Sequence, residues 1–141
     1  MRSRIVTAAG ALLAVGVVVA VVFALVETDE EKIEKLVRDL RDAALNSDVD
    51  GLLDGLSDEV EYPGGRGKLE IKIRAVLRDW PPKKIAVEIR DLEIDGDRAT
   101  ADVEVWYTSE RYPQPYRAKF RTDFGRHDER WLVDGVSQVG G

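Results

Sequence analysis

Two periods of apolar residues divide the chain, and an unbroken apolar run precedes both. Ile33, Leu36, Val37, Leu40, Ala44 and Leu45 recur at three- and four-residue spacing, which predicts an amphipathic helix whose stripe must cover another surface. Its start is written in Thr28-Asp29-Glu30-Glu31, where Thr28 can cap and Glu31 can reach back as a capping box. Asn46-Ser47-Asp48 breaks it. Leu52, Leu53 and Leu56 then predict a short second helix over 49–56, weakened by Gly51 and Gly55. Residues 58–62 read as a brief strand ending at Pro63, and Gly64-Gly65-Arg66-Gly67 as a loop. Over 68–80, Leu69, Ile73, Val76, Leu77 and Trp80 share one helical face, and Pro81-Pro82 stops that helix.

Beyond Pro82 the period becomes two. Ile85, Val87 and Ile89 alternate with polar residues, Asp95-Gly96 signals a hairpin, and Ala99, Ala101, Val103, Val105 and Tyr107 alternate again. The parity slips between Ile89 and Leu92, which predicts a β-bulge near Arg90 or Asp91. Tyr116, Ala118, Phe120, Thr122 and Phe124 face one way and Arg117, Lys119 and Arg121 the other; a last strand runs over 131–139. Helices first and an antiparallel meander afterwards is the pattern of the α+β class: about three helices packed on a curved antiparallel sheet.

The apolar run sets a different expectation for the N-terminus. No charged side chain occurs from Ile5 to Val26. As a helix that run spans roughly 33 Å at about 1.5 Å per residue, against a hydrocarbon core of about 30 Å. The rival reading is a cleaved signal peptide, whose apolar region covers only about 7–15 residues and ends at a small-residue site. Ala24 preceded by Val22 is a poor version of such a site. The expectation is therefore a transmembrane anchor over 1–26 and one domain over 27–141. Arg2 and Arg4 precede the run while Glu27, Asp29, Glu30 and Glu31 follow it, so a single-pass protein would keep its N-terminus cytoplasmic and its domain outside. The first helix follows so closely that the domain would sit beside the bilayer.

Setting aside Arg2 and Arg4 leaves 19 basic against 27 acidic residues, a net charge of −8 on 27–141. That charge excludes nucleic acid as a partner, because phosphate binding rests on clustered Lys and Arg. Cysteine is absent, which removes disulfides, thiolate nucleophiles and zinc-thiolate sites. No metal or cofactor is implied.

Three segments, Ala43-Ala44-Leu45-Asn46-Ser47-Asp48-Val49-Asp50-Gly51-Leu52, Val60-Glu61-Tyr62-Pro63 and Arg130-Trp131-Leu132-Val133-Asp134-Gly135-Val136, together with the order of elements, resemble the nuclear transport factor 2-like superfamily. Its members include ketosteroid isomerases and polyketide cyclases with a cystatin-like cone. The resemblance implies a concave sheet face and first helices enclosing an apolar pocket. It also implies where catalysts would stand. The proton-abstracting carboxylate of the isomerase branch falls at Tyr62, a phenol with an ordinary pKa near about 10 and a poor base at neutral pH. The oxyanion tyrosine falls at Arg41. Dehydratase and cyclase relatives need a pocket histidine paired with a carboxylate, whereas His127 falls in the turn between the last two strands and reads as a solvated turn residue.

Other motifs carry plainer readings. Asp91-x-Glu93-x-Asp95-Gly96, with Asp102 twelfth, imitates a calcium loop but alternates as a hairpin. Gly65-x-Gly67-Lys68 lacks the remaining P-loop residues and reads as a flexible connection. Arg111-Tyr112-Pro113-Gln114-Pro115-Tyr116-Arg117 reads as a rigid hairpin loop.

Tyr62, Trp80, Tyr107, Phe120 and Trp131 are expected on the concave side, as core or as pocket lining. Pairing Val105 with Phe120 sets Trp106 opposite Lys119 on the convex face, where Leu132 and Val136 are expected to join it as a homodimer interface. The expected function is a non-enzymatic, membrane-tethered interaction or scaffold domain that meets another envelope protein. A module binding a small apolar ligand or lipid fragment is the second reading, and a diverged isomerase or cyclase the third.

Overall fold

The structure, a computed structural model, describes residues 28–111 and 113–139. The predicted anchor lies outside the described residues. Among the described residues no helix is long and apolar enough to cross a membrane.

Helix α1 spans Asp29–Leu45, and Thr28 caps it by accepting from the Glu31 N–H at 3.2 Å. Helix α2, Val49–Asp54, is capped by Asp48, whose carboxylate accepts from the Gly51 N–H at 3.0 Å. It ends before Leu56, which opens strand β1, Leu56–Glu61, instead of closing the helix. Two features divert the chain at Gly55: its backbone lies against Leu36 and Leu40, leaving no room for a Cβ, and its carbonyl accepts from the Val133 N–H at 2.9 Å. Helix α3 begins at Gly65 and runs to Asp79. Gly64 and Gly65, at φ 90° and 84°, turn the chain out of β1, so these glycines start the helix and are no loose loop.

Strands β2 (Pro82–Asp95), β3 (Arg98–Ser109), β4 (Tyr116–His127) and β5 (Arg130–Val139) form the expected antiparallel meander. The full sheet has five strands in the order β1-β5-β4-β3-β2, and β1 joins β5 in parallel. The sheet is thus mixed, a correction to the antiparallel expectation. In the β2–β3 ladder Arg90 pairs with Asp102 but Glu93 with Thr100, and Asp91 sits at φ 54°, which is the expected bulge. Between β3 and β4 the register is two residues from the expected one: Val105 faces Ala118 and Trp106 faces Arg117. An even shift leaves each side chain on its face.

A second bulge was not expected. Asp123 pairs with Gly135 and Phe124 with Val133, leaving Asp134 as an extra residue in β5. Strand parity inverts there. Val136 consequently pairs with Thr122 and packs against the core, while Leu132 stays on the convex face opposite Gly125.

The core lies between α1 and the concave face. Ile33 and Val37 meet Ala99, Ala101, Val103, Phe124, Trp131 and Val133. Phe124 and Ile33 are fully buried, each contributing about 1.5–3 kcal/mol.

Candidate functional site

At the N-terminal end of α1 the core is closed by side chains. Trp131 is 3 % exposed and donates its indole N–H to Asp29 Oδ1 at 3.1 Å. The Arg126 guanidinium lies 5.8 Å from the Trp131 ring centre and 3.6 Å from Asp29. A cation thus joins the first turn of α1 to the last hairpin.

The five residues expected on the concave side do not converge on one pocket. Phe120 and Tyr107 lie on the concave face with Trp131, but Trp131 belongs to the core at the closed end. Trp80 is 45 % exposed at the end of α3. Its carbonyl accepts a hydrogen bond from the Tyr107 hydroxyl, and burial pushes that phenol above its ordinary pKa. Tyr62 follows β1 and lines an open depression of about 420 Å³ with Val60, Pro63 and Val136. Glu61, Asp123 and Ser137 supply its polar side.

The convex face is an ion lattice with one tryptophan. Glu88 and Glu104 stand opposite each other, and Arg90 bridges them at 3.0 and 3.5 Å. Glu104, with its side chain 4 % exposed, also pairs with Arg117. Asp102 holds Arg121 at 3.2 Å and Lys119 at 3.9 Å. Trp106 fits into this lattice because Arg117 lies over its ring, 5.7 Å from the centre, so cation–π attraction covers the indole. Leu132 shares the face, but its partner Gly125 is eight residues along β4 from Arg117, roughly 26 Å away. Trp106, Leu132 and Val136 therefore do not form one patch.

One constellation escaped the sequence reading. His127 is the last residue of β4, and its Nε2 lies 2.7 Å from Asp134 Oδ1. The turn beyond it, Asp128-Glu129, has positive φ at both residues, 50° and 66°. Counting by twos from the His127–Arg130 pair puts Asp134 on the face of His127, so the signal was the length of that turn. Among the described residues no group of three or more acidic or histidine side chains could hold a metal ion.

The former motif readings resolve locally. Gly65, Arg66 and Gly67, expected in a loop, belong to the first turn of α3. Asp95 and Gly96 stand at the β2–β3 hairpin, with Gly96 at φ 61°.

No family model and no curated protein matches the chain. Solved structures do. An NTF-2 like protein of unknown function from Shewanella oneidensis MR-1 superposes with a TM-score of 0.65 at 13 % identity, covering 80 % of this chain and all of that one. A domain of unknown function with a cystatin-like fold from Nostoc punctiforme gives 0.66 at 15 % identity, covering 79 % of this chain and 76 % of that one. A protein of unknown function from Mycobacterium tuberculosis gives 0.62 at 18 %, covering 78 % and 70 %. The chain has the cone-shaped α+β fold of nuclear transport factor 2-like and cystatin-like structures.

Proposed function

We propose that this chain is a membrane-tethered interaction domain of the cell envelope, which holds a partner and converts no substrate. The observation that carries the reading is the filled cone: Ile33, Phe124 and Trp131, each at most 3 % exposed, occupy the space between α1 and the sheet. The positions at which the resemblance would set catalysts hold Tyr62 and Arg41 instead. With its interior taken by side chains, such a domain works through its surfaces. The uncharged run from Ile5 to Val26 supports the tether, and α1 starts only three residues beyond it, which keeps the domain at the bilayer. The convex face is the surface for a second copy, centred on Trp106 under Arg117.

Two measurements on the full chain test this. Alkaline carbonate extraction should leave the protein in the membrane pellet; release into the supernatant would remove the tether. Native mass spectrometry in detergent should show a dimer that Trp106→Ala dissociates, and an unchanged oligomer would end the convex-face contact.

The open depression beside Tyr62 favours a second reading, in which Val60, Tyr62, Pro63 and Val136 hold a small apolar molecule. A co-purified mass lost in Tyr62→Ala would support it over the first.

A further inference from the structure

The charge of the domain is unevenly distributed. Residues 65–84 hold seven basic and two acidic side chains, a net of +5, while the rest of 27–141 holds 12 basic and 25 acidic, a net of −13. The basic stretch is α3 with the first residues of β2. The helix turns Leu69, Ile73, Val76 and Leu77 inward, against β1 and α2. Its outward face carries Ile71, 63 % exposed, between Lys68 and Lys72 on one side and Arg74 and Arg78 on the other.

Internal pairing does not consume this charge. Arg74 is bound to Glu70 and Arg78 to Asp79, but Lys68, Lys72, Lys83 and Lys84 are exposed and form no ion pair among the described residues. The helix is also held at both ends. Arg66 donates to the Leu53 carbonyl at 2.8 Å, and the carbonyl of Trp80 accepts from Tyr107. A fixed, basic helix face with an exposed isoleucine at its centre is built for contact, because water is a poor neighbour for Ile71 and nothing among the described residues covers it.

We infer that the outer face of α3 docks an acidic amphipathic segment of a partner protein, with Ile71 against its apolar side and Lys68, Lys72, Lys83 and Lys84 against its carboxylates. Charge sets the sign of the partner. Size sets its form: 15 residues of helix give a face about 22 Å long and one helix wide. At about 10 Å across, that face offers on the order of 220 Å², far below the roughly 800 Å² per side that stable protein pairs bury, so it suits a single segment and not a second copy of this domain.

Position sets Lys83 and Lys84, at the β2 end of the site, apart from the lipid surface, a step that rests on the tethered reading above. The α1 N-terminus meets the sheet at Trp131 and Arg126, the end of the molecule that the tether would hold to the bilayer. The C-terminal end of α3 joins β2 where Tyr107 binds Trp80, nine residues along β3 from Arg98 and so about 30 Å from the other end. The first turn of α3, by contrast, is tied through Arg66 to Leu53, next to the Asp54–Arg130 pair.

The probe is a synthetic helical peptide with leucines along one face and glutamates elsewhere, carrying a fluorescent label, titrated against the full chain in zwitterionic detergent and followed by its anisotropy. Binding should weaken with added salt. Ile71→Glu, and separately Lys68→Glu with Lys72→Glu, should each weaken it by about tenfold or more. All three positions are exposed, and the circular dichroism of each variant checks folding; if one fails to fold, the other carries the test. Trp106→Ala should leave peptide binding unchanged, so a failed convex-face dimer and a failed α3 site are distinguishable. Equal affinity in the charge-reversed variant would overturn the proposal. So would binding to vesicles containing phosphatidylglycerol in place of the peptide.

Discussion

His127 Nε2 lies 2.7 Å from Asp134 Oδ1, tying the end of β4 to the bulged residue of β5 across the convex face. The pair stands over Gly125, and the Asp134 carboxylate occupies the place a Cβ would take there, with His127 Nε2 2.9 Å from the same point. Gly125→Ala should therefore push Asp134 off His127 and cost about 1–3 kcal/mol, read as a lower urea midpoint with an unchanged slope. In an Asp134→Ala background the same change should cost less, because the colliding carboxylate is gone. Equal costs in the two backgrounds would show that the bulge yields without strain.

Glu104 supplies a second test, because its side chain is 4 % exposed while its partners Arg117 and Arg90 are 66 % and 50 % exposed. Removing Arg117 leaves the buried carboxylate with Arg90 alone, at 3.5 Å, which costs more than removing a surface pair. Arg117→Ala should destabilise the domain by about 1–3 kcal/mol, and Glu104→Gln in that background should recover part of the loss. A loss that Glu104→Gln does not reduce would mean that Trp106, uncovered by the missing guanidinium, is the cause.

The order of elements and the face of most side chains were legible because apolar periods report burial directly. The Arg90–Glu93 bulge was legible for the same reason: it shifts an apolar alternation. The bulge at Asp134 was not, since it falls where Asp134-Gly135 gives no apolar signal, and Val136 was assigned to the wrong face as a result. Strand β1 was legible over 58–62, but its first residues and its partner were not. Leu56 continues the helical spacing of Leu52 and Leu53, and the pairing of Leu56 with Val133 spans far more chain than a local pattern reports. The candidate surface on α3 was half visible: the inward stripe was read, but the outward Ile71 belongs to no stripe and gains meaning only from the lysines around it.

Tyr107→Phe should cost about 1 kcal/mol, the net value of one hydrogen bond, because it removes the donor that holds the Trp80 carbonyl. The neighbouring clamp survives the change: Pro81 O still accepts from Ser109 Oγ at 3.0 Å and from the Glu110 N–H at 2.9 Å. Adding Ser109→Ala should then loosen the join between α3 and β2, visible as faster amide exchange in the last turn of α3. Unchanged exchange in the double variant would show that the buried side of α3 alone fixes the helix.

The Asp54–Arg130 pair ties α2 to β5 and predicts a pH dependence of defined sign. The hydrogen bond from Arg130, and then its charge, hold the Asp54 carboxyl below its ordinary value. A depressed folded pKa means that the pair's stabilisation is present above about pH 4 and is lost as pH falls through the folded value. Both side chains are more than half exposed, at 67 % and 53 %, so solvent screening limits the contribution to about 0.5 kcal/mol. Asp54→Asn keeps the backbone carbonyl that accepts from Arg130 at 3.1 Å and removes only the charge. Urea midpoints of the two proteins should differ slightly at about pH 6 and converge by about pH 2. A difference that grows on acidification would require the opposite shift in Asp54 and would show that Arg130 is held by other partners.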